Sequence, residues 1–337
     1  MFNDRINNII KNYLNGSKYS KLSIGIKVKN KEFILNFDAF GLTTKEEEYN
    51  IGSISKTFMA HLIMKYVNLK VLDLNMPASI YLGVNDLNYP TIYQLLTHTA
   101  GYNHFTPIKF TIKAIIPNYY SKYNIYENIK NKDVIKEFLK RKRKKQYNYF
   151  YSDFSYAILA VVLEKTLNRK IGDILGDFIK KDLNLENTNL LCKHKTNNVS
   201  VLNNKVINDW VWYDDNPYIV AGGISSNVSD MLKYINLQLY SKESYIVDCH
   251  KVNENTKKRK DKTLICLGWH AYKSSNHLWH VGGVGTFRSS IIVSKKREIG
   301  IIVMGNKMGK KNANTHYLAK YLYSYICRNN LIDIGNN

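Results

Sequence analysis

The chain is short of acidic residues, of clustered cysteines and of long apolar runs, and each shortage closes off a class of protein. Its four cysteines, Cys192, Cys249, Cys266 and Cys327, are far apart in sequence, and no C-x-x-C occurs. Zinc ribbons and dithiol redox pairs are therefore not signalled, and the thiols are expected to be reduced and mostly buried. The nine histidines form no ligand set by spacing, so neither a metal nor a cofactor is expected. No apolar run approaches the roughly 20 residues that span a bilayer; the longest is AILAVVL at 157–163. The first residues, MFNDRINNIIKNYLNGS, lack the apolar stretch of a signal peptide. A soluble, cytoplasmic protein with no membrane span is expected on these grounds.

Acidic residues number 27 against 49 Lys and Arg, giving a net charge of +22. Such a field attracts nucleic acid, anionic membranes or acidic substrates. No recognised nucleic-acid motif accompanies it, so no specific nucleic-acid partner is expected. Heavy use of Asn, Lys, Ile and Tyr favours a compositional bias spread over the surface. The densest basic run, KRKRKK at Lys140–Lys145, reads as a solvated helix end or loop.

What is present is globular. The 337 residues, 45% of them hydrophobic and 23% charged, suit a packed protein of about two lobes. The N-terminus reads as an amphipathic helix with Ile6, Ile9, Ile10 and Leu14 on one side. LSIGIKVKN (22–30), which alternates apolar and polar, and KEFILNFDAFG (31–41) read as an antiparallel hairpin. From Ser53 the apolar residues Phe58, Met59, Leu62, Ile63 and Val67 fall at helical spacing.

LDLNMPASIYLG (72–83) reads as a loop, and YPTIYQLLTHTAGY (89–102) as a short helix stopped at Gly101. Residues 109–147 are helical in part, and 151–171 and 171–183 are helices. The tail changes character: LGWHAY, HLWHVGG, FRSSIIVS and EIGIIVMGN read as strands, and 312–329 as a helix. The element order predicts one antiparallel sheet built from both termini and flanked by helices, an α/β (α+β) fold. The sheet domain is expected at 1–80 and 215–337, with an inserted all-helical domain at 81–214.

The stretch IGSISKTF (51–58) carries the first chemical signal. Residues three apart on a helix share a face, with Cβ atoms about 5–6 Å apart. Lys56 can therefore take the Ser53 proton if burial or neighbouring cations lower its pKa. Ser53 is the only serine in the chain followed by Lys at the third position. The bland reading is a helix start whose serines cap backbone groups. YSD at Tyr151–Asp153 opens a helix, and its tyrosine can relay a proton; alternatively Ser152 or Asp153 is only a cap. HVGG at His280–Gly283 lies on a strand where glycine lets a substrate approach closely. An N–H there, with that of Ser53, can form an oxyanion hole; the bland reading is a strand bend with a surface histidine. LLTHTAGY, with His98 and Gly101, reads as a structural turn. NDWVWYDDNPY (208–218) either lines the site or is a buried loop.

In order and spacing these motifs resemble the serine β-lactamase and penicillin-binding-protein superfamily, in particular its class C β-lactamase, D-aminopeptidase and esterase-like branch. Ser53-Ile54-Ser55-Lys56 resembles the S-x-x-K motif, Tyr151-Ser152-Asp153 the Y-x-N motif, and His280-Val281-Gly282 the K-T-G or H-x-G motif. LLTHTAGY, AGGISSNVSDMLKY (221–234) and IGIIVMGN resemble further family landmarks, so the likeness covers residues 20–330.

The resemblance implies a β-lactamase/DD-peptidase-like fold and a serine hydrolase. It implies Ser53 as acylating nucleophile, Lys56 as its base, Tyr151 as second base and acid, and His280 as Tyr151's helper or an acyl or carboxylate binder. Asp153 would orient Lys56 and substrate, and the Gly282–Gly283 backbone would line the oxyanion site. The implied partner is a small ester, amide or peptide substrate, cleaved or transferred through an acyl-enzyme. A non-turnover penicillin-binding sensor, or a nucleic-acid or membrane binder using the basic surface, are the alternatives. The oligomeric state is left open. His280 in place of lysine, Asp153 in place of asparagine, and the absence of Pro-Gly before Tyr151 depart from the family pattern.

Overall fold

The structure, a computed structural model, describes residues 3–142, 147–253, 263–272 and 277–329. Of the basic run Lys140–Lys145, residues 143–145 lie outside the described residues. Helix α1 (Asp4–Leu14) leads into a meander of β1 (Leu22–Val28), β2 (Lys31–Asp38) and β3 (Gly41–Thr43). Strand β4 (Tyr49–Asn50) and a 3-10 turn, Gly52–Ile54, precede α2 (Ser55–Asn68). A mostly helical stretch follows: α3 (Ala78–Tyr81), α4 (Ile92–Leu96), α5 (Ile108–Ile115), α6 (Tyr119–Lys122), α7 (Asn131–Leu139), α8 (Asp153–Leu167) and α9 (Ile171–Asp177). Short strands β5 (Asn189–Leu190), β6 (Ser200–Leu202) and β7 (Lys205–Ile207) come next, then α10 (Ile219–Gly222), β8 (Ile224–Ser226), α11 (Val228–Tyr240) and α12 (Ser244–Val247). Strands β9 (Thr263–Ile265), β10 (His270–Tyr272), β11 (Leu278–Val284), β12 (Phe287–Ser294) and β13 (Ile299–Gly305), and α13 (Thr315–Arg328), complete the chain.

The main sheet is antiparallel with strand order β3-β2-β1-β13-β12-β11-β10-β9, so the first and last parts of the chain meet where β1 pairs β13, Leu22 opposite Gly305. One face carries α1 and α13 over a core that includes Ile6, Ile10, Ile24, Ile301 and Leu322. The other face carries α11 over a larger core that continues through α2 and α8 into the helical stretch. This is the α/β arrangement expected, with β5, β6 and β7 as strands within residues 81–214.

Several local expectations change. β1 is buried at all seven positions rather than at every second one. Its apolar residues Leu22, Ile24, Ile26 and Val28 meet α1 and α13. Its small and polar residues lie under α11, where a Cβ on Gly25 would sit 2.8 Å from Val228 Cγ2. Ser23 Oγ there donates to Asn36 Oδ1 at 2.6 Å, so the buried polar atom is satisfied.

Similarly α2 is buried around its whole first part, Ser55–Met64, because α8, α10 and α12 pack around it. Residues 78–81, read as loop, form the short helix α3. Helix α4 ends at Leu96, five residues before Gly101, because His98 takes a left-handed φ of 56°.

Candidate active site

Ser53 sits in the middle of the 3-10 turn Gly52–Ile54, at the N-terminal end of α2. The turn is tied down from two sides. Ile51 N donates to Ile224 O at 2.9 Å, and Ser289 Oγ donates to Ile51 O at 2.7 Å. Strand β11 then runs against the turn with no room for side chains. A Cβ on Gly282 would lie 1.8 Å from Ile51 O, and one on Gly52 would lie 2.4 Å from Gly283 N. Gly52 also has a φ of +55°, which a residue with a Cβ rarely adopts. The glycines therefore place the Gly283 backbone beside Ser53.

Lys56, one turn on, is fully buried, and its Nζ has three oxygens close by. It donates to Ser53 Oγ at 3.0 Å and to Ala221 O at 2.7 Å, and it lies 2.7 Å from Asp153 Oδ1. Burial pulls its pKa below the usual lysine value, and the Asp153 carboxylate opposes that pull. Burial works against ionisation of Asp153, but Lys56 and His104 outweigh it and hold the carboxyl well below the usual range. The other carboxylate oxygen accepts from Tyr126 Oη at 2.8 Å and lies 3.4 Å from His104 Nε2. Asp153 thus faces Lys56, with its second oxygen occupied by protein groups.

Tyr151 immediately precedes α8, whose N-cap is Ser152; its Oγ accepts from Ser155 N at 3.2 Å. The segment before α8 is clamped by the turn after α4. Phe150 N donates to His98 O at 2.9 Å, and Ser152 N donates to His98 Nδ1 at 3.1 Å. The His98 ring packs 4.5 Å from the Tyr151 ring. Lys56 Nζ lies over the same ring, 5.0 Å from its centre. Burial and Asp153 raise the phenol pKa well above 10, while the Ser53 hydroxyl acts in the opposite direction. Tyr151 is accordingly a neutral phenol at rest.

His280 is buried, not at the surface, with Nδ1 2.8 Å from Val281 O and its ring 6.3 Å from that of Tyr151. Burial, His270 and Lys56 hold its pKa well below 6.5. It is a neutral imidazole with Nδ1–H directed to its own strand, so Nε2 is left as an acceptor. The site therefore brings together Ser53, Lys56, Tyr151, Asp153 and His280, with Gly282 and Gly283 against the Ser53 turn. Among the described residues, no group of three or more His, Cys, Asp or Glu is arranged to hold a metal ion.

The profile of the Beta-lactamase family matches residues 22–323. The chain belongs to the beta-lactamase family. Protein flp of Staphylococcus aureus (strain MW2) is 23% identical over 298 residues, covering 82% of this chain and 55% of that protein. A Beta-lactamase of Providencia stuartii is 23% identical over 258 residues, covering 70% of this chain and 60% of that protein. The chain thus spans little more than half the length of these relatives.

Among solved structures, the octameric penicillin-binding protein homologue from Pyrococcus abyssi superposes with a TM-score of 0.77 at 21% identity, over 96% of this chain and 77% of that one. A class C beta lactamase from Rhodobacter sphaeroides gives 0.75 at 15% identity, over 96% and 100%. The fold is thus that of the beta-lactamase family.

Some site neighbours carried no usable signal in the sequence. Tyr126 is one of 26 tyrosines and lies 27 residues from the carboxylate it meets. His104 and His270 belong to no motif; His270 reaches the site because β10 pairs with β11, which puts its ring 5.1 Å from that of His280. His98 did have a signal in LLTHTAGY, and its structural turn proves to hold Tyr151. The aromatics of 208–218 are mostly interior: Trp210, Trp212 and Tyr218 are buried, and Trp210 Nε1 donates to Tyr120 O at 3.0 Å.

Proposed function

We propose that this member of the beta-lactamase family is a serine hydrolase or acyltransferase that forms an acyl-enzyme on Ser53 from a small ester, amide or peptide. The observation that carries the reading is a fully buried lysine nitrogen 3.0 Å from a serine hydroxyl at a helix N-terminus. In a dry site such a lysine is displaced toward its neutral form, which makes it a usable base.

Ser53 Oγ attacks the acyl carbonyl and its proton passes to Lys56. The N–H groups of Ser53 and Gly283 receive the oxyanion. Tyr151 gives a proton to the leaving group as the carbonyl re-forms and regains one through Lys56. Water or another acceptor then attacks the ester carbonyl by the reverse path, and the acyl group leaves Ser53. His280, being neutral, accepts a hydrogen bond near Tyr151 and supplies no fixed cation. A substrate whose recognition depends on a carboxylate beside that strand is therefore disfavoured relative to a neutral one.

The domain division fits this reading, since Tyr151 and Asp153 come from the helical stretch and Ser53 and His280 from the sheet part. A panel of short acyl esters, D-amino-acid amides, D-Ala-D-Ala peptides and nitrocefin tests it beside Ser53→Ala. Turnover of at least one class, reduced by about 10³-fold or more in Ser53→Ala, is expected. Equal turnover in the two proteins overturns the reading.

A further inference from the structure

Helix α5 and helix α6 form an amphipathic knee with an uncovered apolar side. Phe110 points inward and packs 5.1 Å from the Tyr126 ring. On the outer side Ile112, Ile115 and Ile116 are 56%, 74% and 47% exposed, and Tyr123 beyond α6 is 55% exposed. Single exposed apolar residues are ordinary, but four within twelve positions on one knee form a patch. Asn118, at a left-handed φ of 59°, turns the chain between the two helices.

The charge along this stretch of the chain has one sign. No Asp or Glu occurs from residue 87 to residue 126, while Lys109 and Lys113 in α5 and Lys122 in α6 are exposed. An apolar face edged by lysines is the pattern that settles into the headgroup region of an anionic bilayer. The whole chain, at +22, adds attraction of the same sign. No helix among the described residues is long and apolar enough to cross a membrane, so the contact is with the surface.

The knee also borders the candidate site. Tyr120, inside α6, donates from Oη to Gly283 O at 3.4 Å, and its ring lies 5.8 Å from that of Phe105. Phe105 in turn stacks on His104, the neighbour of Asp153.

We infer that the exposed Ile112–Ile116 and Tyr123 face, with Lys109, Lys113 and Lys122, is a docking surface for an anionic lipid bilayer. Docked there, the molecule rests with the rim of its cleft at the membrane surface. The inference concerns where the molecule sits, and it is read by binding alone, so it stands or falls apart from the acyl-enzyme reading.

Sedimentation with vesicles tests it directly. Phosphatidylcholine vesicles with about 30% phosphatidylglycerol should bind the protein at low salt, and pure phosphatidylcholine vesicles should bind it far less. Ile112→Glu/Ile115→Glu should lower the partition at least tenfold with an unchanged urea midpoint, which shows that the fold is intact. Should that variant unfold, Lys109→Gln/Lys113→Gln/Lys122→Gln serves instead; each lysine near an anionic surface is worth about fivefold, so about a hundredfold loss is expected. The inference is overturned by any of three results. These are no binding to the anionic vesicles at low salt, binding that neither variant weakens, or a wild-type dimer that either variant converts to monomer, which would make the face a contact between copies.

Discussion

Lys56 Nζ donates to Ser53 Oγ and Ala221 O and forms an ion pair with Asp153 Oδ1, and these three oxygens set the electrostatics of the site. Burial pulls Lys56 toward its neutral, base-competent form while the ionised Asp153 beside it favours keeping the proton, and Lys56 acts as a base in the form that has lost it. Activity should therefore rise with pH as Lys56 deprotonates. Asp153 raises the Lys56 pKa, so Asp153→Asn should move the acidic limb of kcat/KM to lower pH. A pH–rate profile checks this, and an unmoved limb would show that Lys56 is not the titrating base. At this scale Ser53, Lys56, Tyr151 and His280 were legible because spacing along a helix or in a short motif is a property of sequence. Tyr126 and His104 were not, since their meeting with Asp153 is fixed only by how distant segments pack.

The contact between β11 and the Ser53 turn depends on missing side chains, and the two glycines of HVGG differ in that respect. Gly282 faces Ile51 O and Ser289 Oγ, where a Cβ would be 1.8 and 2.3 Å away. The atoms nearest a Cβ on Gly283 belong to the Arg288 side chain, the closest at 3.4 Å, which is ordinary contact. Gly282→Ala should force the strand off the turn, costing about 1–3 kcal/mol of stability and most of the activity. Gly283→Ala should keep its stability within about 0.5 kcal/mol of the parent. Urea midpoints and steady-state rates separate the two, and equal behaviour would contradict the close approach.

Elements were legible where periodicity was strong, as in the N-terminal helix, the hairpin and the tail strands. The apolar–polar alternation of LSIGIKV marked the strand but not its burial, since α11 covers the face that carries Ser23 and Gly25. Helix α3 has four residues, too few to show a period, and the end of α4 is set by the backbone of His98 rather than by Gly101.

Across the whole molecule, buried histidines couple the fold to acidity. Burial holds His98 and His280 well below 6.5, lowers His250, and brings His61 to about 4. In the unfolded chain each takes a proton near pH 6.5, while the folded protein resists it. Stability is thus fully present above about pH 6.5 and falls as pH drops, by up to about 1.4 kcal/mol per pH unit for each such histidine. Urea midpoints at falling pH should decline steeply below that value; a constant midpoint down to about pH 5 would mean that these rings are not buried and neutral.

The global fold was legible because both ends of the chain read as partners in one sheet. The interior positions of the histidines were not, since a lone histidine carries no periodic signal.

The central claim is that Ser53 becomes acylated, and intact-mass spectrometry after incubation with a fluorophosphonate or a β-lactam tests it most directly. The account predicts a single covalent adduct that maps to Ser53 and is lost in Ser53→Ala. A folded protein that gains no mass with either reagent, or an adduct that persists in Ser53→Ala, would contradict it.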